Sequence, residues 1–347
     1  MNADLHRSDG IGVYVITGFL GSGKTTLLNH LVNDAGMQDT AVIINEFGEV
    51  GIDHALVESA FEDALLLSNG CLCCSIRGDL LDTLETLVVR RDMGQIPEFK
   101  RVLIETTGLA DPAPIIESLT AEVVTGRGFS LRAIAATVDA LHGGRQLDSR
   151  FETRKQAAIA DLLLLTKTDL AAAEEAASLK RRLRALNPGA CVLDVVGGVI
   201  APEAIFTLDG FNPSAAEDWL GEAETHGHAD DHDINRHGDD IRAIAIRRQG
   251  PLSWSAVRHW LRSLASLRGG DILRIKGILH LEGCAAPVAV HGIQSMLHPP
   301  QVLKGWGAEE PASRVVFIGR DLDAGGVEHA LDKALAAHGI AAGGDAL

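Results

Sequence analysis

The stretch GVYVITGFLGSGKTTLLNHLV, residues 12–32, runs through three kinds of local chemistry without a break. GVYVIT (12–17) is a short apolar run, which predicts a buried strand. GFLGSGKT (18–25) is a glycine-rich turn, and KTTLLNHLV (24–32) has the apolar spacing of a helix. Strand, glycine turn and helix in that order fit a phosphate-binding P-loop, with Gly18, Gly23, Lys24 and Thr25 at its fixed positions. Glycines let the backbone N–H groups around Gly21, Ser22 and Gly23 converge on phosphate oxygens, and the helix N-terminus adds its dipole. Lys24 reaches the β- and γ-phosphates, and Thr25, followed by Thr26, offers a hydroxyl to Mg²⁺.

Further apolar runs follow at 41–45 (AVIIN), 102–106 (VLIET), 133–138 (AIAATV) and 162–166 (LLLLT), with helical patterns at 79–91 and 171–186. Strands alternating with helices predict an α/β fold whose mostly parallel, doubly wound sheet carries the P-loop. This P-loop domain is expected over residues 10–215. The pattern stops at EAETHGHADDHDINRHGDD (222–240), which has seven acids, four histidines and hardly an apolar residue, so it cannot pack as core. We read 216–240 as an acidic, His-rich linker. Strand-like segments at 242–248, 272–281 and 314–319 and an amphipathic helix at 253–267 then predict a smaller α+β domain over 241–340.

The 347-residue chain carries a net charge of -16, which argues against nucleic acid or a membrane surface as partner. The N-terminus lacks a basic start followed by an apolar core, so a cytoplasmic, reducing setting is expected. There, five cysteines are unsuited to a disulfide framework.

Two more strand-end motifs extend the phosphate site. ETTG (105–108) places Glu105 where a second carboxylate can hold Mg²⁺ or its water, and Gly108 near the γ-phosphate. NEFGEVGID (45–53) offers Glu46, Glu49 and Asp53 to respond to metal and γ-phosphate. TKTD (166–169) addresses the base: Asp169 can accept from guanine N1–H and the exocyclic amine, and the Lys167 stem can cover the base plane. Thr166 stands where Asn is usual.

GCLCC (70–74) crowds three of the five cysteines. Cys71, Cys73 and Cys74 fit disulfide geometry poorly but can converge as thiolates on one soft metal ion, leaving a tetrahedral position open for exchange. A structural zinc site completed elsewhere, or a redox cluster, are the alternatives. Cys191 and Cys284 read as buried small hydrophobes. His226, His228, His232 and His237 in the linker suit weak, exchangeable metal capture. Arg77, just past the cysteines, is a candidate to assist hydrolysis.

These motifs together resemble the CobW-type family of P-loop GTPases, relatives of the nickel-insertion GTPases of urease and hydrogenase maturation. GFLGSGKTT, NEFGEVGID, NGCLCC, ETTGLADP and TKTD carry the likeness in the first domain, and GDILRIKGIL, VHGIQ and VVFIGRDLD in the second. The resemblance implies GTP-driven delivery of a metal, commonly zinc (Zn²⁺), to a metal-requiring client protein, and is compatible with a homodimer. Cys71, Cys73 and Cys74 become cargo ligands, and Glu46 and Glu49 part of the metal-linked switch. The residues alone leave two other readings open: a P-loop ATPase or kinase with a structural zinc, and a nucleotide-controlled client activator.

Overall fold

The computed structural model describes residues 10–44, 65–66, 72–75, 80–120, 122–208, 241–306 and 310–338. Two compact units divide the described residues: one runs to Arg182 and resumes from Ala190 to 208, and the other contains 183–189 and everything from 241 onward.

In the first unit the strands are β1 (Ile11–Gly18), β2 (Thr40–Ile44), β3 (Leu65–Leu66), β4 (Leu72–Ser75), β5 (Arg101–Glu105), β6 (Phe129–Asp139), β7 (Leu162–Thr166) and β8 (Cys191–Val195). They form one sheet in the order β3-β4-β2-β5-β1-β6-β7-β8. Every pairing is parallel except that of the short edge strand β3 with β4. The helices are α1 (Lys24–Leu31), α2 (Leu80–Asp92), α3 (Ala113–Thr120), α4 (Glu122–Thr125), α5 (Gly143–Ser149), α6 (Phe151–Ile159), α7 (Ala173–Leu186, whose residues from 183 on are grouped with the second unit) and α8 (Glu203–Phe206).

Both faces of the sheet are covered, which is why its strands read as continuous apolar runs rather than alternating ones. Tyr14, Ile16, Val42, Leu103, Leu162 and Leu164 pack with Leu27, Leu28 and Leu31 of α1 and Ile205 of α8. The intervening Val13, Val15, Val102, Ile104, Leu163 and Leu165 are equally buried. The doubly wound α/β fold expected from the sequence is therefore present.

Strand register decides where function can sit. Ser75 of β4 and Glu105 of β5 both pair with Ile44 of β2, and Glu105 pairs in turn with Ile16 of β1. The carboxyl ends of these strands thus share one edge of the sheet, where ligands of open parallel sheets bind.

The second unit is an antiparallel sheet of β9 (Ile241–Gln249), β10 (Ile272–Leu279), β11 (Val288–Ile293), β12 (Met296–Leu297), β13 (Gln301–Val302) and β14 (Ala312–Arg320), in the order β12-β11-β10-β14-β9 with β13 on β11. Helices α9 (Trp254–Arg268) and α10 (Ala324–His338) share a core with Ile246, Ile275, Leu279 and Val290. At its centre Trp260, 1% exposed, meets Phe317 edge to face at 5.3 Å and donates to Val327 O at 3.1 Å. Trp260→Ala removes this wedge and its hydrogen bond, so thermal or denaturant unfolding should show a loss of about 3–5 kcal/mol.

Candidate nucleotide site

The P-loop is shaped by what it cannot tolerate. Gly18 closes β1 with φ 140°, and a Cβ there would lie 2.1 Å from Thr137 Oγ1. Gly23 caps α1 in the left-handed region. Between them the Ser22 hydroxyl turns inward: it lies 2.6 Å from Thr137 Oγ1, which donates to Thr17 O at 3.2 Å. Ser22 therefore braces the loop with its side chain, and its N–H donates to Phe19 O at 3.1 Å. Thr25 and Thr26 are exposed on the first turn of α1, and Thr26 abuts Gly198 of the loop after β8.

Lys24 is buried, and its ammonium donates to Gly18 O at 2.8 Å and Phe19 O at 3.2 Å. Desolvation pulls its pKa below the ordinary lysine value, opposed by the Glu105 carboxylate. Glu105 is itself buried at the end of β5. The next residue, Thr106, donates through Oγ1 to Thr17 Oγ1 at 2.9 Å, fastening this strand end to β1. Gly108 then passes under the P-loop, where a Cβ would meet Leu20 N at 2.7 Å and Leu20 Cα at 2.8 Å. Gly108→Ala must displace the phosphate loop. We expect triphosphate affinity to fall about tenfold or more, measured by nucleotide titration, with a modest loss of melting temperature.

TKTD lies at the same edge. Thr166 Oγ1 donates to Ser22 O of the P-loop at 2.7 Å and approaches Val138 O at 3.3 Å. Lys167, in the left-handed region at φ 58°, donates to Gly21 O and to Asp139 Oδ2, both at 2.8 Å. Asp169 is exposed beyond them. Sequence reasoning missed Asp139, which is buried and also accepts from Leu141 N at 2.8 Å; its place at the end of an apolar strand was the available signal. It missed as well the turn closed by the Val196–Val199 bridge, whose Gly198 leaves a Cβ no room against Thr26 Cγ2 and Thr26 O, each 2.9 Å away.

The metal-side residues are less fully covered. Glu46, Glu49, Asp53, Cys71, Arg77, His226, His228, His232 and His237 lie outside the described residues. Cys73 and Cys74 belong to β4, paired in the backbone with Val42 and Ile43. Among the described residues no group of three His, Cys, Asp or Glu side chains could hold a metal ion. Cys191 and Cys284 are not disulfide-bonded and are half-buried rather than buried, and the Cys284 thiol donates to Ala286 O at 3.2 Å.

Comparison with known families agrees with this arrangement. Residues 12–194 match the family model described as CobW/HypB/UreG, nucleotide-binding domain, and residues 241–335 match the cobalamin synthesis protein cobW C-terminal domain. The chain belongs to the CobW family. Among its relatives, the zinc chaperone YjiA of Escherichia coli strain K12 is 36% identical over 312 residues, covering 90% of this chain and 95% of the relative. The zinc chaperone CobW of Pseudomonas aeruginosa is 28% identical, covering 93% and 91%. The crystal structure of Zn(II)-bound YjiA GTPase from E. coli superposes with a TM-score of 0.73 at 33% identity, covering 93% of this chain and 98% of that one. Both units of this CobW-family chain thus have counterparts in one solved relative. No helix among the described residues is long and apolar enough to cross a membrane.

Proposed function

We propose that this protein is a cytoplasmic GTP-hydrolysing metallochaperone that carries zinc on Cys71, Cys73 and Cys74 and passes it to a client protein. The observation that carries the reading is the strand order. The cysteine strand β4 is separated from β5, which ends in Glu105, by β2 alone. Neighbouring strands are about 4.8 Å apart, so the cysteine segment and the phosphate-side carboxylate stand roughly 10 Å apart on one sheet. A rearrangement at Glu105 then has a short, stiff path to the thiolates. The relatives named zinc chaperones support zinc as cargo.

The site residues fit a Mg²⁺–nucleotide complex. The glycine cradle, the Lys24 ammonium and the buried Glu105 carboxylate combine phosphate donors with a hard oxygen ligand, and Thr25 and Glu105 would hold the ion. Mg²⁺ would neutralise charge developing on the phosphates. Lys24 binds and orients the β- and γ-phosphates, and the backbone around Gly108 meets the γ-phosphate. Asp169 selects guanine.

The reading is tested by metal retention in the purified protein with GDP, GTP and a non-hydrolysable GTP analogue. Zinc affinity that depends on the nucleotide is expected; identical affinity in all three states would refute it. The base assignment has its own test. Asp169→Asn loses a charge-assisted pair of hydrogen bonds, so GTP affinity should fall on the order of 10–100-fold while ATP affinity stays where it was. Competition titration gives both values, and equal affinity of the native protein for ATP and GTP would remove Asp169 from the site.

A further inference from the structure

Helix α6 touches both loops on the phosphate side. Its Gln156, 2% exposed, directs Nε2 at two carbonyls of the loop after β5: Ala110 O at 3.2 Å and Gly108 O at 3.4 Å. The neighbouring Lys155 pairs with Asp111 of the same loop at 2.5 Å, and Asp111 accepts from Ala113 N at 3.0 Å, fixing the start of α3. At the other end of the helix, the guanidinium carbon of Arg150 lies 5.9 Å from the centre of the Phe19 ring in the P-loop.

Gln156 is a costly residue to bury here. Its Oε1 is enclosed and finds no partner among the described residues. Turning the amide over would set that oxygen against two carbonyl oxygens, so the observed orientation is imposed by the loop. What the side chain accomplishes follows from peptide geometry. In a trans peptide the N–H points opposite to the C=O. Holding the Gly108 carbonyl toward α6 therefore turns the Leu109 N–H away from α6, on the segment that Gly108 presses against Leu20 of the P-loop.

We infer that Gln156 is a positioning residue that sets the γ-phosphate loop, so that α6 discriminates a nucleoside triphosphate from a diphosphate. The inference rests on the nucleotide site proposed above. A diphosphate touches the P-loop and leaves the 108–111 loop without a ligand. A triphosphate needs that loop in one orientation, and Gln156 supplies it in advance.

The test separates the two nucleotides. Gln156→Leu removes both donated hydrogen bonds and the orphaned oxygen at similar volume. We expect GDP affinity within twofold of native and affinity for a non-hydrolysable GTP analogue about tenfold weaker, with slower hydrolysis at saturating GTP. Equal weakening of both nucleotides would mean that Gln156 merely packs, and no change in either would mean that the loop holds itself; each overturns the inference. Should Gln156→Leu not fold, Lys155→Ala cuts the other tie between the same helix and loop and must shift the GTP-to-GDP ratio in the same direction. An unchanged ratio there also overturns the inference. A native protein that binds no guanine nucleotide would instead refute the underlying reading of the site.

Discussion

Lys24→Ala is expected to lose about 10²–10³-fold in GTP turnover and to bind GTP far more weakly, because one fixed cation aimed at phosphate oxygens contributes that much in a water-poor site. Nucleotide titration and phosphate release measure both, and undiminished turnover would refute the P-loop assignment. The fold should survive. Burial depresses the Lys24 pKa, so the folded chain holds this proton less tightly than the unfolded one. The charged ammonium therefore subtracts from stability at neutral pH, and stability rises as pH climbs through the folded pKa toward the ordinary lysine value of 10.5. Alanine removes that burden. The melting temperature should stay close to native, which separates a functional loss from unfolding.

The second large effect concerns the cysteines. Replacing Cys71, Cys73 and Cys74 with serine should abolish tight zinc binding, since neutral hydroxyls do not replace thiolates. GTP binding should persist, because no cysteine belongs to the phosphate or base elements. In the native protein zinc affinity should differ between GDP and a GTP analogue by about 5–150-fold, and by reciprocity zinc should change nucleotide affinity by the same factor. We expect the triphosphate state to hold the ion and hydrolysis to loosen it. A chromophoric chelator competing for zinc in each nucleotide state, at several pH values, reads the coupling and the proton competition together. Equal zinc affinity in the two states would leave an uncoupled metal site and end the chaperone reading.

The elements legible in the sequence are those with strong local patterns. LLLLT became β7 with its predicted bounds, and the strand at 12–17 and helix at 171–186 shifted by a residue or two. LCCS became a strand although no alternation or β-branched residue announces one; its pairing with β2 is what makes it so. Helix α6, FETRKQAAI, was missed because it is short and mostly polar. The residues proposed to meet phosphate could be named because spacing along the chain fixes them. Their supports were not: Thr166 meets Ser22 across 144 positions, and Gln156 meets Gly108 across 48. No local pattern encodes such a meeting.

The bond from Thr166 to Ser22 O and that from Lys167 to Gly21 O have a thermodynamic consequence. They join the proposed base element to the phosphate loop within the protein itself, so the two halves of the proposed nucleotide site are ordered relative to each other before a nucleotide arrives. Binding then spends little of its free energy on freezing one half against the other. Guanosine, which lacks phosphate, and pyrophosphate, which lacks a base, should each find a finished half-site and bind independently, neither sharpening the affinity of the other. Thr166→Val, which removes the hydroxyl and keeps the shape, should make the pair cooperative, because whichever fragment binds first must then order the site for both.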